Sequence, residues 1–249
     1  MKITAVYGTE RKGCSYTVAE MVLSAFPEAE LERIVLPHDC PPFCTSCFRC
    51  FTGAPEDCPH SAYTMPIRQK LCRADLIILV SPVYSFHMSG AMKSMLDHFA
   101  NMWMVHRPEA AMFSKQGLVV ATASGPVYGK TLAGMKDSLD FWGVARSYRI
   151  GAALFETDWS RIPDKRRLRI RRSVERVCAR IRKRAAHPRP CLRVRFWFAA
   201  SRLMHKYIRM NPPDVAYWEK MGWTGATRPW KARPSGRQQA TGLSAGHGD

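Results

Sequence analysis

The stretch Asp75-Leu-Ile-Ile-Leu-Val-Ser-Pro-Val-Tyr84, followed closely by Ser89-Gly-Ala-Met-Lys-Ser-Met-Leu-Asp-His-Phe99, decides the fold. Leu76 to Val80 is an unbroken apolar run rich in branched residues, which is how a strand buried on both faces of a parallel sheet reads. Pro82 has no N–H to give and is expected to stop the ladder. From Met88 onward the apolar residues Met88, Met92, Met95, Leu96 and Phe99 fall at helical spacing. A strand, a Pro/Gly loop and a helix in succession make half of a βαβ unit. Open α/β sheets bind ligands in the loops at the C-terminal ends of such strands.

Working outward, Ile3 to Tyr7 reads as a first strand. Gly8-Thr-Glu-Arg-Lys-Gly-Cys-Ser-Tyr-Thr17 follows, and then a helix with Val18, Met21, Val22 and Ala25 on one face. Glycines followed by hydroxyl side chains at a helix N-terminus form an anion seat, since free N–H groups and the helix dipole point at one spot. The same residues would serve equally as a capped helix after a tight turn. The loop is neither the dinucleotide G-x-G-x-x-G fingerprint nor a Walker loop. Glu30 to Leu36 is a second strand. Pro37 to Tyr63 is a long loop carrying Cys40, Cys44, Cys47, Cys50 and Cys58 among Phe43, Phe48 and Phe51, and Thr64 to Arg73 is a short helix.

Lys115 to Ala123 is the next strand, ending in Ser124-Gly-Pro-Val-Tyr-Gly129, a third Gly-containing loop at a strand's C-terminal end. A helix over Lys130 to Trp142, a strand over Ser147 to Leu154 and a long helix over Pro163 to Ala186 complete the pattern. The last helix is expected to bury Leu168, Val174, Val177, Cys178 and Ile181 and to face its arginines outward. Successive βα units with short connections predict an α/β fold: a doubly wound, five-stranded parallel sheet in the flavodoxin order.

The formal net charge of +18 is placed unevenly: residues 1–160 hold 15 Lys/Arg and 15 Asp/Glu, so the whole excess lies beyond them. Contact with nucleic acid or an anionic membrane is therefore a question about the tail. No nucleic-acid-binding module is recognisable there. Cys191 to Met210 mixes aromatic and basic residues as an amphipathic helix, able to lie on an anionic membrane or to pack on a partner subunit. Ser235 to Asp249 is rich in Gly, Ser and Gln and is expected to be disordered. Met1-Lys2 leads straight into a strand, and no apolar run reaches the roughly 18 residues of a membrane span. A cytoplasmic protein, peripheral at a membrane if the tail binds one, is expected.

The three loops together resemble a known family. Gly8 to Thr17 is similar to the phosphate loop of the NADPH-dependent FMN reductases. Ser81-Pro-Val-Tyr84, with Ser89-Gly90, Lys93 and Asp97, resembles their flavin-ring loop and the helix behind it. Cys44-x2-Cys47-x2-Cys50-x7-Cys58 resembles the cysteine loop of iron–sulfur flavoproteins. More loosely, Asp214-Val-Ala-Tyr-Trp218 and Gly222-Trp223 resemble the tail of larger NAD(P)H-dependent oxidoreductases of this group. The resemblance implies an FMN-binding domain over 1–186, a basic aromatic extension over 187–234 and a tail over 235–249. It puts the FMN phosphate on Thr9, Arg11, Ser15, Tyr16 and Thr17, and the isoalloxazine ring on Pro82, Val83, Tyr84 and Ser85. Ser124, Gly125, Tyr128 and Gly129 would close the ring's other edge. Cys14 stands where relatives often have Asn. Pro59-His-Ser-Ala-Tyr63 lacks the acidic pair that relatives commonly carry there.

The activity this implies is FMN-dependent NAD(P)H oxidoreduction, a hydride passing through flavin N5 to a quinone, a free flavin or a similar acceptor. No side chain need act as nucleophile. Two alternatives stand beside it. One is an electron carrier with a [4Fe–4S] cluster on Cys44, Cys47, Cys50 and Cys58. The other is a non-catalytic module that works through its basic tail at a membrane. The same four cysteines could also hold zinc, or remain free thiols in a packed lid with Phe43, Phe48 and Phe51. The family implies a homo-oligomer, with NAD(P)H and an electron acceptor as its small-molecule partners.

Overall fold

The computed structural model describes residues 1–186 and 188–231. In chain order its main elements are β1 (Lys2–Tyr7), α1 (Cys14–Ser24), β2 (Glu30–Val35), α2 (Arg49–Thr52), α3 (Ser61–Arg73), β3 (Leu76–Tyr84) and β4 (His87–Met88). There follow α4 (Gly90–His98), β5 (Gln116–Ala123), α5 (Gly129–Phe141), β6 (Arg146–Ala153), α6 (Asp164–Lys183), α7 (Leu192–Leu203) and α8 (Pro212–Lys220). Five strands pair in parallel in the order β2-β1-β3-β5-β6, and β4 turns back on the end of β3 as a short antiparallel hairpin. This is the flavodoxin order. The stretch Ser235 to Asp249 lies outside the described residues.

Alternation along the buried strands feeds two layers. Ile3, Ala5, Tyr7, Leu76, Ile78 and Val80 face α1 and α6, while Val6, Ile77 and Leu79 face α3, α4 and α5. Leu76 to Val80 are all fully buried. Each such side chain stabilises the fold by roughly 1.5–3 kcal/mol, which is why an unbroken apolar run settles at the sheet centre.

Pro82 does not end the strand. β1 leaves the ladder at Tyr7, opposite Val80, but β3 continues along β5 with Ser81 opposite Ala121 and Pro82 opposite Thr122. At Ser81 and Pro82 the strand has β5 alone as its ladder partner, since β4 joins only from Val83, and a proline is tolerated where no N–H is needed. The buried stripe of α6 is Ile170, Val174, Val177, Cys178 and Ile181; Leu168 falls off it and is exposed. α3 begins at Ser61, one turn earlier than its apolar spacing suggests.

The basic aromatic segment forms α7, then a single π-helical turn over Met204–Ile208 that ends at Arg209 in the left-handed region (φ 56°), so it is not one continuous helix. With α8 it builds a third core: Val194, Phe198, Trp218 and Trp223 close on Met104 and Phe113. Asp214 is buried there. Its Oδ2 lies 2.8 Å from His106 Nδ1 and its Oδ1 lies 3.0 Å from Arg107 Nε, an ion pair in which the N–H is not aimed as a hydrogen bond. Trp218 Nε1 donates to the His106 carbonyl (2.6 Å) and Tyr217 donates to that of Pro108 (2.6 Å). The motif Asp214-Val-Ala-Tyr-Trp218 thus clasps the segment after α4. Among the described residues no helix is long and apolar enough to cross a membrane.

Candidate functional site

The loops after β1, β3, β5 and β6 meet at the C-terminal edge of the sheet around an open cleft of about 130 Å³. The first wall is Thr9, Arg11, Gly13, Cys14 and Ser15; the second is Pro82, Val83 and Tyr84. Thr122, Ala123 and Ser124 form a third, and Leu154, Glu156 and Thr157 a fourth.

Backbone contacts fix this arrangement. Gly8 N–H donates to the Val80 carbonyl (2.7 Å), joining the first loop to β3. A Cβ at Gly8 would lie 2.7 Å from Ser89 Oγ and 3.2 Å from that same carbonyl, so only glycine fits. Ser81 Oγ accepts from Ser89 N–H (2.9 Å), and Ser89 Oγ caps α4 by accepting from Met92 N–H (3.2 Å). The Ser15 and Thr122 hydroxyls bond to each other at 2.6 Å across the cleft floor. Arg11 Nη2 (3.2 Å) and Cys14 Sγ (3.6 Å) both reach the Thr157 carbonyl, drawing the loop after β6 over the first wall. Burial pushes the Cys14 thiol up, so it is a neutral donor rather than a thiolate.

The N-terminus of α1 has no side-chain cap at Gly13 and no acidic residue in its first turn, so its leading N–H groups stay open to an anion. Around the mouth, Tyr84, Phe86, Val127 and Phe155 are exposed. Ser85 (φ 47°), Phe86 (φ 68°) and Phe155 (φ 60°) hold left-handed backbone without being glycine, a conformation that costs of order 1 kcal/mol or more at each. Strain of this kind gathers at binding edges, and here it turns aromatic rings outward. Arg166 stacks over Phe155 at 4.6 Å.

Of the residues singled out in the sequence, Thr9, Arg11, Ser15, Pro82, Val83, Tyr84 and Ser124 come together on the cleft wall. Tyr16, Thr17, Ser85, Gly125, Tyr128 and Gly129 do not line it. Tyr16 packs on Tyr7 (5.3 Å between rings), and Thr17 Oγ1 donates back to the Gly13 carbonyl. The Tyr128 ring lies on Gly151, where a Cβ would meet it at 2.4 Å. Glu156 and Thr157 were missed. Their only signal was position, since they follow the fifth parallel strand as the other loops follow theirs.

The cysteine loop is elsewhere. It borders a separate cavity of about 410 Å³ with Cys44, Cys47, Cys50, Cys58, Phe48, Phe51, His60 and His98 on its walls. It is not a packed lid: Cys44, Cys47, Phe43 and Phe48 are exposed, and of its three phenylalanines only Phe51, among the described residues, finds an aromatic partner outside the loop, His106 at 4.7 Å. Arg107 holds the loop by donating to the carbonyls of Cys50 and Gly53 (2.6 Å for the latter). Among the described residues, the group of metal-ligating side chains whose donor atoms all lie within 4.8 Å of one another is Cys58, His60 and His98; the four thiols do not gather at that spacing.

The sequence profile described as NADPH-dependent FMN reductase matches residues 1–146. No curated protein matches the chain. Among solved structures, an FMN-dependent NADH-azoreductase from Bacillus anthracis str. Ames Ancestor, in complex with FMN, aligns over 73% of this chain and 99% of its own, at 14% identity and a TM-score of 0.55. An azoreductase from Bacillus anthracis str. Sterne aligns over 74% and 99%, at 13% identity and a TM-score of 0.56. A flavone reductase aligns over 77% and 66%, at 16% identity and a TM-score of 0.52. At these identities the structural likeness shows a shared fold.

Proposed function

The chain belongs to the NADPH-dependent FMN reductase family, and from that membership we propose how its cleft works and what it acts on. FMN held in this cleft would supply the redox chemistry, accepting a hydride at N5 from NAD(P)H and donating electrons to an acceptor. We assign the phosphate end to Thr9, Arg11 and the open N–H groups at Cys14 and Ser15. The observation that carries this is the uncapped N-terminus of α1 at the junction of the strand-end loops, with a guanidinium beside it. Glu156 brings one carboxylate into the same cleft. A carboxylate repels phosphate but accepts hydroxyl protons, so it suits the polyol part of the ligand.

Pro82, Val83 and Tyr84 offer the apolar wall for a flat ring, and the exposed rings of Phe86 and of Phe155, the latter under the Arg166 guanidinium, would help exclude water from it. Ser124 closes the far edge. Tyr16, Thr17, Ser85, Gly125, Tyr128 and Gly129 then act by shaping their loops. The acceptor we propose is a quinone, a free flavin or a similar two-electron electrophile; the azo group named for two of the similar structures belongs to that class. We take residues 1–186 as the flavin-binding unit and 187–234 as an extension that adds an interface. Outward on α7 and the turn after it, Leu192, Phe196, Leu203, Tyr207, Ile208 and Met210 are exposed beside Arg193, Arg195 and Arg209. That stripe supports contact with a second copy of the chain, with an anionic membrane as the competing partner.

The test is FMN titration by fluorescence quenching. Arg11→Ala should weaken binding by about 1.5–3 kcal/mol, the loss of a charge-assisted hydrogen bond to phosphate. Unchanged affinity would send the phosphate elsewhere and remove this reading of the cleft.

A further inference from the structure

We propose that Cys58, His60 and His98 form a binding site for a single divalent transition-metal ion of the zinc class, separate from the flavin cleft and distinct from an iron–sulfur cluster. The donor atoms of these three side chains already lie within 4.8 Å of one another. The decisive group is His98. It is 6% exposed, and its Nε2 sits 3.0 Å from the Pro42 carbonyl. A carbonyl can only accept, so in the neutral ring Nε2 carries the proton and Nδ1 holds a bare lone pair. Nδ1 is buried and has no hydrogen-bond partner. Ligating histidines have this arrangement, one ring N–H donated to a backbone carbonyl and the other nitrogen left for the metal.

The rest of the site fits. The His60 ring stands edge-on to His98, with centroids 5.3 Å apart. Cys58 and His60 both sit just before the first residue of α3, so one short turn of backbone sets their spacing. His98 ends α4, whose carbonyl end favours a cation. One thiolate and two imidazoles suit Zn²⁺, which accepts three protein ligands and leaves a fourth position open. Cys44, Cys47 and Cys50 border the same cavity, so water or a loop thiolate could fill that position. Because protons compete with a metal for thiolate and imidazole ligands, binding should weaken as pH falls. The ion would staple the cysteine loop, α3 and α4 together. Its site is at the opposite end of α4 from Ser89, which braces the cleft, so it clamps the loop without touching the flavin wall.

The experiment uses the full-length protein, freed of metal by a chelator and titrated with Zn²⁺ and with Co²⁺, with FMN content measured on the same samples. The expected result is one equivalent of either ion, a thiolate-to-Co²⁺ charge-transfer band, and a rise in melting temperature with ion concentration. Cys58→Ser should abolish the charge-transfer band. His60→Ala and His98→Asn should each weaken binding by at least about tenfold to a hundredfold, with FMN content unchanged. His60 and Cys58 are only half-buried, so their variants should fold even if the His98 variant does not. Failure of wild-type protein to bind either ion would overturn the proposal. So would binding that survives Cys58→Ser and His60→Ala, or iron with equimolar sulfide that depends on Cys44 and Cys47 but not on His60.

Discussion

The strand-end cleft and the cysteine loop both border the parallel sheet, yet they are held by different physics. The cleft is positioned by backbone: strands in register, Gly8 against the Val80 carbonyl, and Ser89 capping α4. The cysteine loop is positioned by side chains from far along the chain. Arg107 grips its carbonyls, and Asp214, more than a hundred residues further on, holds Arg107. A site set by topology can be found from periodicity; one set by a buried ion pair cannot.

The largest expected effect tests that division. Asp214→Asn removes a buried charge that faces His106 and Arg107, leaving a guanidinium that is 13% exposed without its counter-ion. Breaking one partner of a buried pair costs about 3–5 kcal/mol. Chemical denaturation should show that loss, and limited proteolysis should begin cutting between Cys44 and Cys58. FMN affinity should hold under native conditions. Loss of flavin in step with the loop would break the distinction between the two regions.

A smaller effect should appear in the opposite pattern. Gly8→Ala forces a Cβ to within 3.0 Å of Met92 Cβ as well as against Ser89 and Val80. Overpacking of this kind costs about 1–3 kcal/mol. The strain falls where the first two walls of the cleft join, so FMN affinity should drop while cleavage of the cysteine loop stays as in wild type. Equal damage to both regions would mean that α4 couples them.

This contrast also explains what the sequence revealed. The apolar run Leu76 to Val80 and the glycine-bearing loops announce a parallel sheet and its binding edge, because burial and turn chemistry are local. Pro82 misled because its meaning depends on where β1 stops, a property of another strand. Leu168 misled because one residue at helical spacing does not say which of two adjacent stripes faces in. The meeting of Cys58 and His60 with His98 spans forty residues of chain and no local pattern encodes it. His60 stood out only as a departure, at a position where acids were expected.

A third, smaller effect separates the extension's core from both sites by pH. His205 is 2% exposed, lies against Trp218 (4.7 Å between rings), and neither ring nitrogen has a partner. Burial lowers its pKa below the ordinary 6.5, opposed by the Asp214 charge and reinforced by His106. The unfolded chain therefore binds more protons than the folded one below 6.5, and stability must fall with pH from there down to the depressed folded value. His205→Phe keeps the ring against Trp218 and removes the titration. The slope of unfolding free energy between about pH 7 and about pH 5 should flatten relative to wild type. An unchanged slope would assign the acid sensitivity to other groups.

The smallest effect on stability belongs to the outer stripe of α7, where the two partner readings divide. Phe196 and Ile208 are each 64% exposed, so Phe196→Ser with Ile208→Ser should change stability by no more than about 0.5 kcal/mol per site. Association should change far more. If a second copy covers the stripe, light scattering should show wild-type dimers and variant monomers, with little dependence on salt because the contact is apolar. If an anionic membrane covers it, wild type should sediment with phosphatidylserine vesicles and be released as ionic strength rises, since the flanking arginines supply a screened attraction. The variant would then keep its oligomeric state and lose the vesicles. A stable wild-type monomer that ignores vesicles would leave the stripe without a partner of either kind. The extension would then serve only through its inner face, as the clasp of Asp214 on Arg107 and, through it, on the cysteine loop.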